Sequence, residues 1–220
     1  MSGPTASLIL SPRPALLTAG ERGCLERRAR LLAWVGNAWH LVEFGLAVGV
    51  GVAAGSIALV GFGADSLVEA FSGLVVVWLV TGRRRSSERA ERRAQRLVAA
   101  SFLLLGAAVG AESIRDLVGG DRPQASWVGI GLAAFTAPTM PLLARAKRDV
   151  GRRLGSVAVV SEGVQNLLCA YLSVALVLGL LLNALAGWWW ADPAAALAVA
   201  AVALREGWQR RRGEACCDAC

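Results

Sequence analysis

The chain has 220 residues, of which 55% are hydrophobic and 18% are charged, and its formal net charge is +7. A soluble domain of this length would show alternating or amphipathic patterns, whereas several long blocks of this chain are nearly free of charge, which is typical of a membrane protein. The positive charge does not indicate a nucleic-acid partner, because the Arg residues form short clusters between the apolar blocks.

Six apolar blocks approach the roughly 20 residues that a membrane-spanning helix needs. In chain order they cover approximately residues 31–52, 56–80, 97–117, 127–143, 156–182 and 189–204. We therefore expect an all-α polytopic protein whose six transmembrane helices form one domain over residues 31–204. Residues 1–30 are expected to be a basic N-terminal tail, and residues 205–220 a short basic tail that contains Cys. Pro138 and Pro141 predict a kink near the end of the fourth helix.

The distribution of basic residues predicts how these helices are oriented. Of the 23 Lys and Arg, all but Arg115 and Arg122 lie in segments that six spans would place on one side of the membrane. Such a bias marks the cytoplasmic side. The sequence thus predicts a multi-pass protein of a lipid bilayer with both termini in the cytoplasm. The Arg- and Ala-rich composition suggests the inner membrane of a bacterium.

Carboxylates lie near the middle of three apolar blocks, the first, the second and the fifth. Asp65 and Glu69 are four residues apart in the second block, so a helix places them on one face. Glu162 and Asn166 repeat this spacing in the fifth block. Intramembrane acids are rare and usually mark the path of an ion or a proton. Facing pairs from two helices predict a site for a divalent cation, at which metal and protons would compete for the same oxygens.

Three polar residues of the first block, Asn37, His40 and Glu43, are secondary candidates for metal binding. Their spacing by threes puts them loosely on one side of a helix. The alternative reading is that such residues form hydrogen bonds between helices and bind no metal.

Two stretches resemble a known family, the cation diffusion facilitator (cation efflux) transporters. GSIALVGFGADSLVEAFSG resembles the second span of that family, and WWWADPAAALAVAAVALREGW resembles its sixth span; the similarity covers about residues 30–208. In that family, pairs on the second and fifth spans bind the transported divalent metal, and export is driven by proton exchange. By position, the resemblance implies Asp65 and Glu69 as the first pair and Glu162 and Asn166 as the second.

The resemblance also implies what the protein transports. Zinc is the family-based first expectation. An oxygen-only site is harder than one with imidazole, so manganese, iron, cobalt and cadmium stay open. We expect a divalent cation transporter that exchanges metal for protons and has no prosthetic group. We expect no enzyme, because the chain has one His and neither a nucleophile elbow nor a metalloprotease motif. The alternative is a non-transporting membrane protein that acts as a structural or partner subunit.

The family's usual cytoplasmic metal-sensing domain has no counterpart in the short tail after the sixth block. A homodimer would then form through the spans, for which Gly106 and Gly110 are small-residue candidates. The tail carries Cys216, Cys217 and Cys220, which could capture a soft metal or could be incidental. An odd total of five Cys without extracellular spacing argues against a disulfide framework.

Overall fold

The structure is a computed structural model that describes residues 17–81, 88–120, 123–124 and 126–212. These ranges contain six α-helices and no strand. The helices are α1 (Ala19–Ala54), α2 (Ile57–Val80), α3 (Glu88–Gly119), α4 (Trp127–Leu154), α5 (Val157–Ala186) and α6 (Ala191–Arg212). The predicted all-α architecture with six helices is therefore confirmed.

Several helices extend beyond the apolar blocks that predicted them. α1 begins at Ala19, behind a capping box formed by Thr18 and Glu21, and so takes in part of the expected N-terminal tail. α4 includes both Pro138 and Pro141 and continues to Leu154. Hydropathy indicates only the part of a helix that lies in lipid. Backbone hydrogen bonding continues the helix into the basic segment before the apolar block of α1 and after that of α4.

Within the described residues, four helices have the length and apolar composition needed to cross a membrane: α1, α2, α4 and α5. They pack together as a four-helix bundle, and α3 and α6 pack mainly on each other beside it. Large apolar side chains such as Leu104, Leu142 and Leu185 are exposed on the outside, whereas many polar side chains are buried inside. This distribution is the one expected for a protein surrounded by lipid.

The four-helix bundle consists of two similar hairpins, α1–α2 and α4–α5. α1 ends at Gly55, with φ +65°, and Ser56 then caps α2 by accepting a hydrogen bond from the backbone N–H of Leu59. The second hairpin repeats this turn at Gly155, with φ +64°, and Ser156. A positive φ favours Gly because it has no Cβ. The same turn chemistry thus joins both helix pairs.

Close approach within each hairpin depends on a second Gly. A Cβ at Gly51 would lie 2.9 Å from the backbone nitrogen of Val60, and a Cβ at Gly151 would lie 2.7 Å from that of Val160. The equivalent positions of the two hairpins are therefore separated by 100 residues throughout this region.

Small residues also set the contact between α3 and α6. A Cβ at Gly106 would lie 2.9 Å from the carbonyl oxygen of Ala200, and a Cβ at Gly207 would lie 2.9 Å from the carbonyl oxygen of Ala99. Gly110 faces Ala200 as well. Both Gly residues considered for a homodimer contact are thus packed against α6 of the same chain, and the homodimer stays a prediction.

One end of the bundle carries the basic segments, and we call it the basic end. There α1 begins, α2 and α4 end, and α5 begins. An apolar cluster fills the interior at this end; it contains Leu25, Ala29, Ala33, Val76, Leu79, Val150, Ala158 and Val159. A second, larger cluster that includes Leu59, Phe62 and Leu132 fills the interior toward the opposite end. Buried polar side chains lie between the two.

Candidate metal centre

Three potential metal ligands from two helices meet inside the bundle. They are Asp65 and Glu69 on α2 and Cys169 on α5, and their ligand atoms lie within 4.8 Å of one another. Their exposed fractions are 4%, 4% and 1%. Among the residues that the structure describes, this is the one group of three or more His, Cys, Asp or Glu side chains that approach so closely. We call it the acid–thiol cluster.

The acid–thiol cluster lies near the middle of its span. α2 has 24 residues, and at 1.5 Å per residue it is about 36 Å long. Asp65 and Glu69 follow the start of α2 by two and three helical turns, which places them about 12 and 18 Å along it. The cluster is thus at the depth where an isolated charge is least favourable in a membrane.

Cys169 was not among the residues that the sequence analysis selected as ligands. The four-residue spacing of the first pair pointed instead to Glu162 and Asn166. The repeated Gly-Ser turn was the available signal, because the offset of 100 residues makes Cys169 the counterpart of Glu69 and Gln165 the counterpart of Asp65.

Gln165 lies beside the acid–thiol cluster but its carbonyl is already engaged. The side-chain oxygen accepts a hydrogen bond of 2.7 Å from the hydroxyl of Ser72. Its side-chain nitrogen is buried and has no hydrogen-bond partner. An amide at this position adds polarity to the site without adding negative charge.

His40 of α1 contacts the acid–thiol cluster through Glu69. Its Nδ1 lies 3.3 Å from Oε2 of Glu69 and 3.4 Å from Oε2 of Glu43. Its Nε2 lies 3.0 Å from the amide nitrogen of Asn166, which also points at the sulfur of Met140. An amide nitrogen donates, so Nε2 accepts and Nδ1 carries the proton that faces the two carboxylates.

Glu43 is fully buried and is held by two hydroxyl groups. Ser66 of α2 donates to one carboxylate oxygen at 2.8 Å, and Thr136 of α4 donates to the other. A buried carboxylate is tolerated where hydrogen bonds compensate for the lost water. Glu43, which the sequence analysis named as a secondary metal candidate, therefore ties α1 to α2 and α4.

Glu162 lies apart from the acid–thiol cluster and forms an ion pair. Nζ of Lys147 is 2.6 Å from its carboxylate, and both side chains are buried. Glu162 precedes Cys169 by two helical turns, which is about 10 Å toward the basic end. In the sequence, Lys147 lies between the fourth and fifth apolar blocks, among basic residues. It is nevertheless inside the bundle, because α4 continues past its apolar block.

Two Gly residues make room for this ion pair. A Cβ at Gly36 would lie 2.8 Å from Nζ of Lys147, and a Cβ at Gly73 would lie 3.0 Å from Oε1 of Glu162. Asn37 fills the remaining space at Gly73. Its amide, oriented to satisfy both ends, donates to the carbonyl of Ala70 and accepts from the N–H of Leu74. Asn37 thus joins α1 to α2.

The structure therefore separates the four residues expected to form one site. Asp65 and Glu69 are together, Asn166 lies on the far side of His40, and Glu162 is paired with Lys147. The three tail thiols, Cys216, Cys217 and Cys220, lie outside the described residues.

Two buried oxygens near the centre of the bundle accept no hydrogen bond of good geometry, and the nearest donor to the one on Glu69 is Nδ1 of His40, at 3.3 Å. They are Oε2 of Glu69 and Oδ1 of Asn166. The sulfur of Cys169 lies within 4.8 Å of the nearest Glu69 carboxylate oxygen. An unsatisfied buried acceptor costs about 1–3 kcal/mol, and a bound cation would remove that cost for Glu69. The donor set of two carboxylates and a thiol thus suits a metal ion.

The comparison with protein families gives one match. The family described as the cation efflux transmembrane domain matches residues 34–212. No curated protein matches the chain. The matched range spans α2 to α6 and all of α1 except its first part, so it contains every residue of the acid–thiol cluster.

Proposed function

The chain belongs to the cation efflux family, and from that premise we propose that it exports a divalent metal ion from the cytoplasm in exchange for protons. The acid–thiol cluster is the transport site in this proposal. The observation that carries it is the convergence of Asp65, Glu69 and Cys169 in the interior of a membrane domain. Members of the family are transporters, and a buried cluster of anionic ligands can bind a cation during transport.

Proton exchange follows from the chemistry of the ligands. Carboxylates and thiols bind metal in their deprotonated forms, so metal and protons compete for the same atoms. A cluster that releases a proton when metal binds can take one up again when metal leaves. The ion moves outward if the 21 basic residues on one side mark the cytoplasm, as they do for most inner-membrane proteins of bacteria.

Flux through reconstituted vesicles tests this function. Vesicles that contain the full chain and an entrapped metal indicator should take up zinc or cadmium when a pH gradient is imposed. Asp65→Ala should abolish this uptake, because it removes one of the two carboxylates of the acid–thiol cluster. Glu112→Ala is the matched control, since Glu112 is a half-exposed acid that pairs with Arg115 near the end of α3. Unchanged uptake by a well-folded Asp65→Ala protein would show that the site is wrong.

A second candidate function is a membrane subunit that does not transport. The buried ion pair between Lys147 and Glu162 favours this second function, because it shows that one intramembrane acid of the chain has a structural role. If the chain has that function, vesicles that contain the unsubstituted protein should take up no metal.

A further inference from the structure

An apolar groove with a volume of about 610 Å³ lies on the outside of the protein, between α1, α2 and α3. We propose that this groove is a phospholipid-binding site, in which an acyl chain fills the groove and arginines at its basic end bind an anionic headgroup. The site is on the surface that faces the bilayer, and the proposal does not depend on metal transport.

The groove follows from the way α3 is attached to the bundle. α3 packs on α6 and on α2, and it makes little direct contact with α1. Its close approach to α2 is at Gly61, where a Cβ would lie 3.0 Å from the side chain of Val109. From there toward the basic end, small side chains such as Ala64, Ala70 and Ala108 line the space between the helices. The groove therefore extends toward the basic end of the bundle.

The lining of the groove suits an acyl chain. Its two polar residues are already engaged, because the hydroxyl of Ser101 donates to the carbonyl of Leu97 and the amide of Asn37 is bound to the backbone of α2. Six large apolar side chains border the groove and are exposed: Trp34, Leu41, Leu67, Phe71, Leu74 and Leu104. An unfilled groove would lose dispersion contacts along its walls. A flexible hydrocarbon chain from the surrounding bilayer can follow this shape and restore them.

Basic side chains lie where the headgroup of such a lipid would be. Arg30 and Arg27 precede Trp34 by about one and two helical turns, so they lie on the groove side of α1. On α3, Arg93 precedes Ser101 by about two turns. Basic pockets between transmembrane helices bind anionic headgroups, and the guanidinium group matches the geometry of a phosphate. The charge thus favours an anionic phospholipid from the leaflet at the basic end.

A second copy of the chain fits this groove less well than a lipid does. In a two-fold dimer the same surface of each chain meets its equivalent. Two concave grooves would then face each other and leave a void, which close-packed interfaces avoid. The arginines at the basic end would also face those of the partner, and like charges across an interface are unfavourable.

Native mass spectrometry of the full chain in detergent tests the site, with phosphatidylglycerol and phosphatidylcholine of identical acyl chains as the probes. One lipid per chain should remain bound, with phosphatidylglycerol preferred. Ala108→Trp should abolish this binding, because Ala108 lines the groove and the indole would fill it. Ala107→Trp is the matched control, since Ala107 is an exposed neighbour that does not line the groove. Equal lipid binding by the two variants would overturn the proposal.

The headgroup is tested separately by removing charge. Arg30→Gln combined with Arg93→Gln should lower the preference for phosphatidylglycerol over phosphatidylcholine by about fivefold for each arginine. Arg145→Gln removes the same charge from an exposed position on α4, away from the groove, and should leave the preference unchanged. An unchanged preference in the double variant would contradict the headgroup site. A dimer that Ala108→Trp dissociates would show that a second copy occupies the groove, and would also overturn the proposal.

Discussion

The hairpins α1–α2 and α4–α5 share a backbone design but place their charged side chains at different positions in the bundle interior. Toward the middle of the membrane, the first hairpin places Asp65 and Glu69 where the second places Gln165 and Cys169. Toward the ends, the first hairpin has Ala47 and Phe62, both fully buried, where the second has Lys147 and Glu162.

This difference shows how a repeated framework can form an asymmetric path. The acid–thiol cluster has apolar side chains such as Phe62 on one side and an ion pair on the side of the basic end. A duplicated turn and its Gly contacts set the backbone, and a few interior substitutions decide where charge lies. Four experiments test whether the two hairpins differ in this way, and they are given in order of decreasing expected effect.

The ion pair of the second hairpin should matter most for stability. Lys147→Ala leaves the Glu162 carboxylate buried without its partner, which costs about 3–5 kcal/mol. The expected result is a large drop in the unfolding temperature in detergent. Arg145→Ala is the control, because Arg145 is exposed on the same helix. Equal unfolding temperatures for the two variants would contradict the buried pair.

Replacing the ion pair with the apolar residues found at the equivalent positions of the first hairpin should restore much of the stability lost in Lys147→Ala. Lys147→Ala combined with Glu162→Phe copies Ala47 and Phe62 of the first hairpin. Apolar replacement of a buried ion pair is often neutral or stabilising. The double variant should therefore unfold at a higher temperature than Lys147→Ala. A double-mutant cycle measures the coupling, and additive losses would mean that the hairpins are not interchangeable at these positions.

Close packing should affect both hairpins equally. Gly51→Ala and Gly151→Ala would each press a methyl group against the facing helix backbone, at a cost of about 1–3 kcal/mol. Thermal unfolding should show similar losses for the two variants. Gly49→Ala is the control, since a Cβ there meets no atom within 4 Å. A loss at only one of the two positions would argue against equivalent turns.

Thr136→Val should have the smallest effect. It removes one of two hydroxyl donors to Glu43, at a cost of about 1 kcal/mol, and Ser66 remains in place. A slightly lower unfolding temperature is expected, with metal selectivity unchanged. A large shift of metal selectivity would mean that Glu43 itself binds the transported ion.

Much of the architecture could be predicted from the sequence because it depends on local properties. Apolar blocks of sufficient length predicted the six helices, and the resemblance at GSIALVGFGADSLVEAFSG predicted the family that the comparison found. The pairing of Asp65 with Glu69 followed from helical spacing alone. The helix ends at Ala19 and Leu154 were not predicted, because basic helical segments outside the apolar blocks carry no hydropathy signal.

The approach of Cys169 to the acidic pair could not be found by spacing. Glu162 and Asn166 repeat the interval of Asp65 and Glu69, but an interval does not specify which turn of α5 faces which turn of α2. Close approach at Gly51 and Gly151 sets the register within each hairpin. The register between α2 and α5 depends on the packing of the two hairpins, where the hydroxyl of Ser72 donates to the side-chain oxygen of Gln165.

By itself, then, the sequence determined a six-helix membrane protein of the cation efflux type with an acidic pair inside its second helix. Only the tertiary structure decided that Cys169 completes the cluster and that Lys147 neutralises Glu162. The physical reason is that hydropathy and helical period act along one chain segment. The partner of a buried charge is chosen by the packing of different helices, since Lys147 lies on α4 and Glu162 on α5, and Cys169 on α5 meets Glu69 on α2.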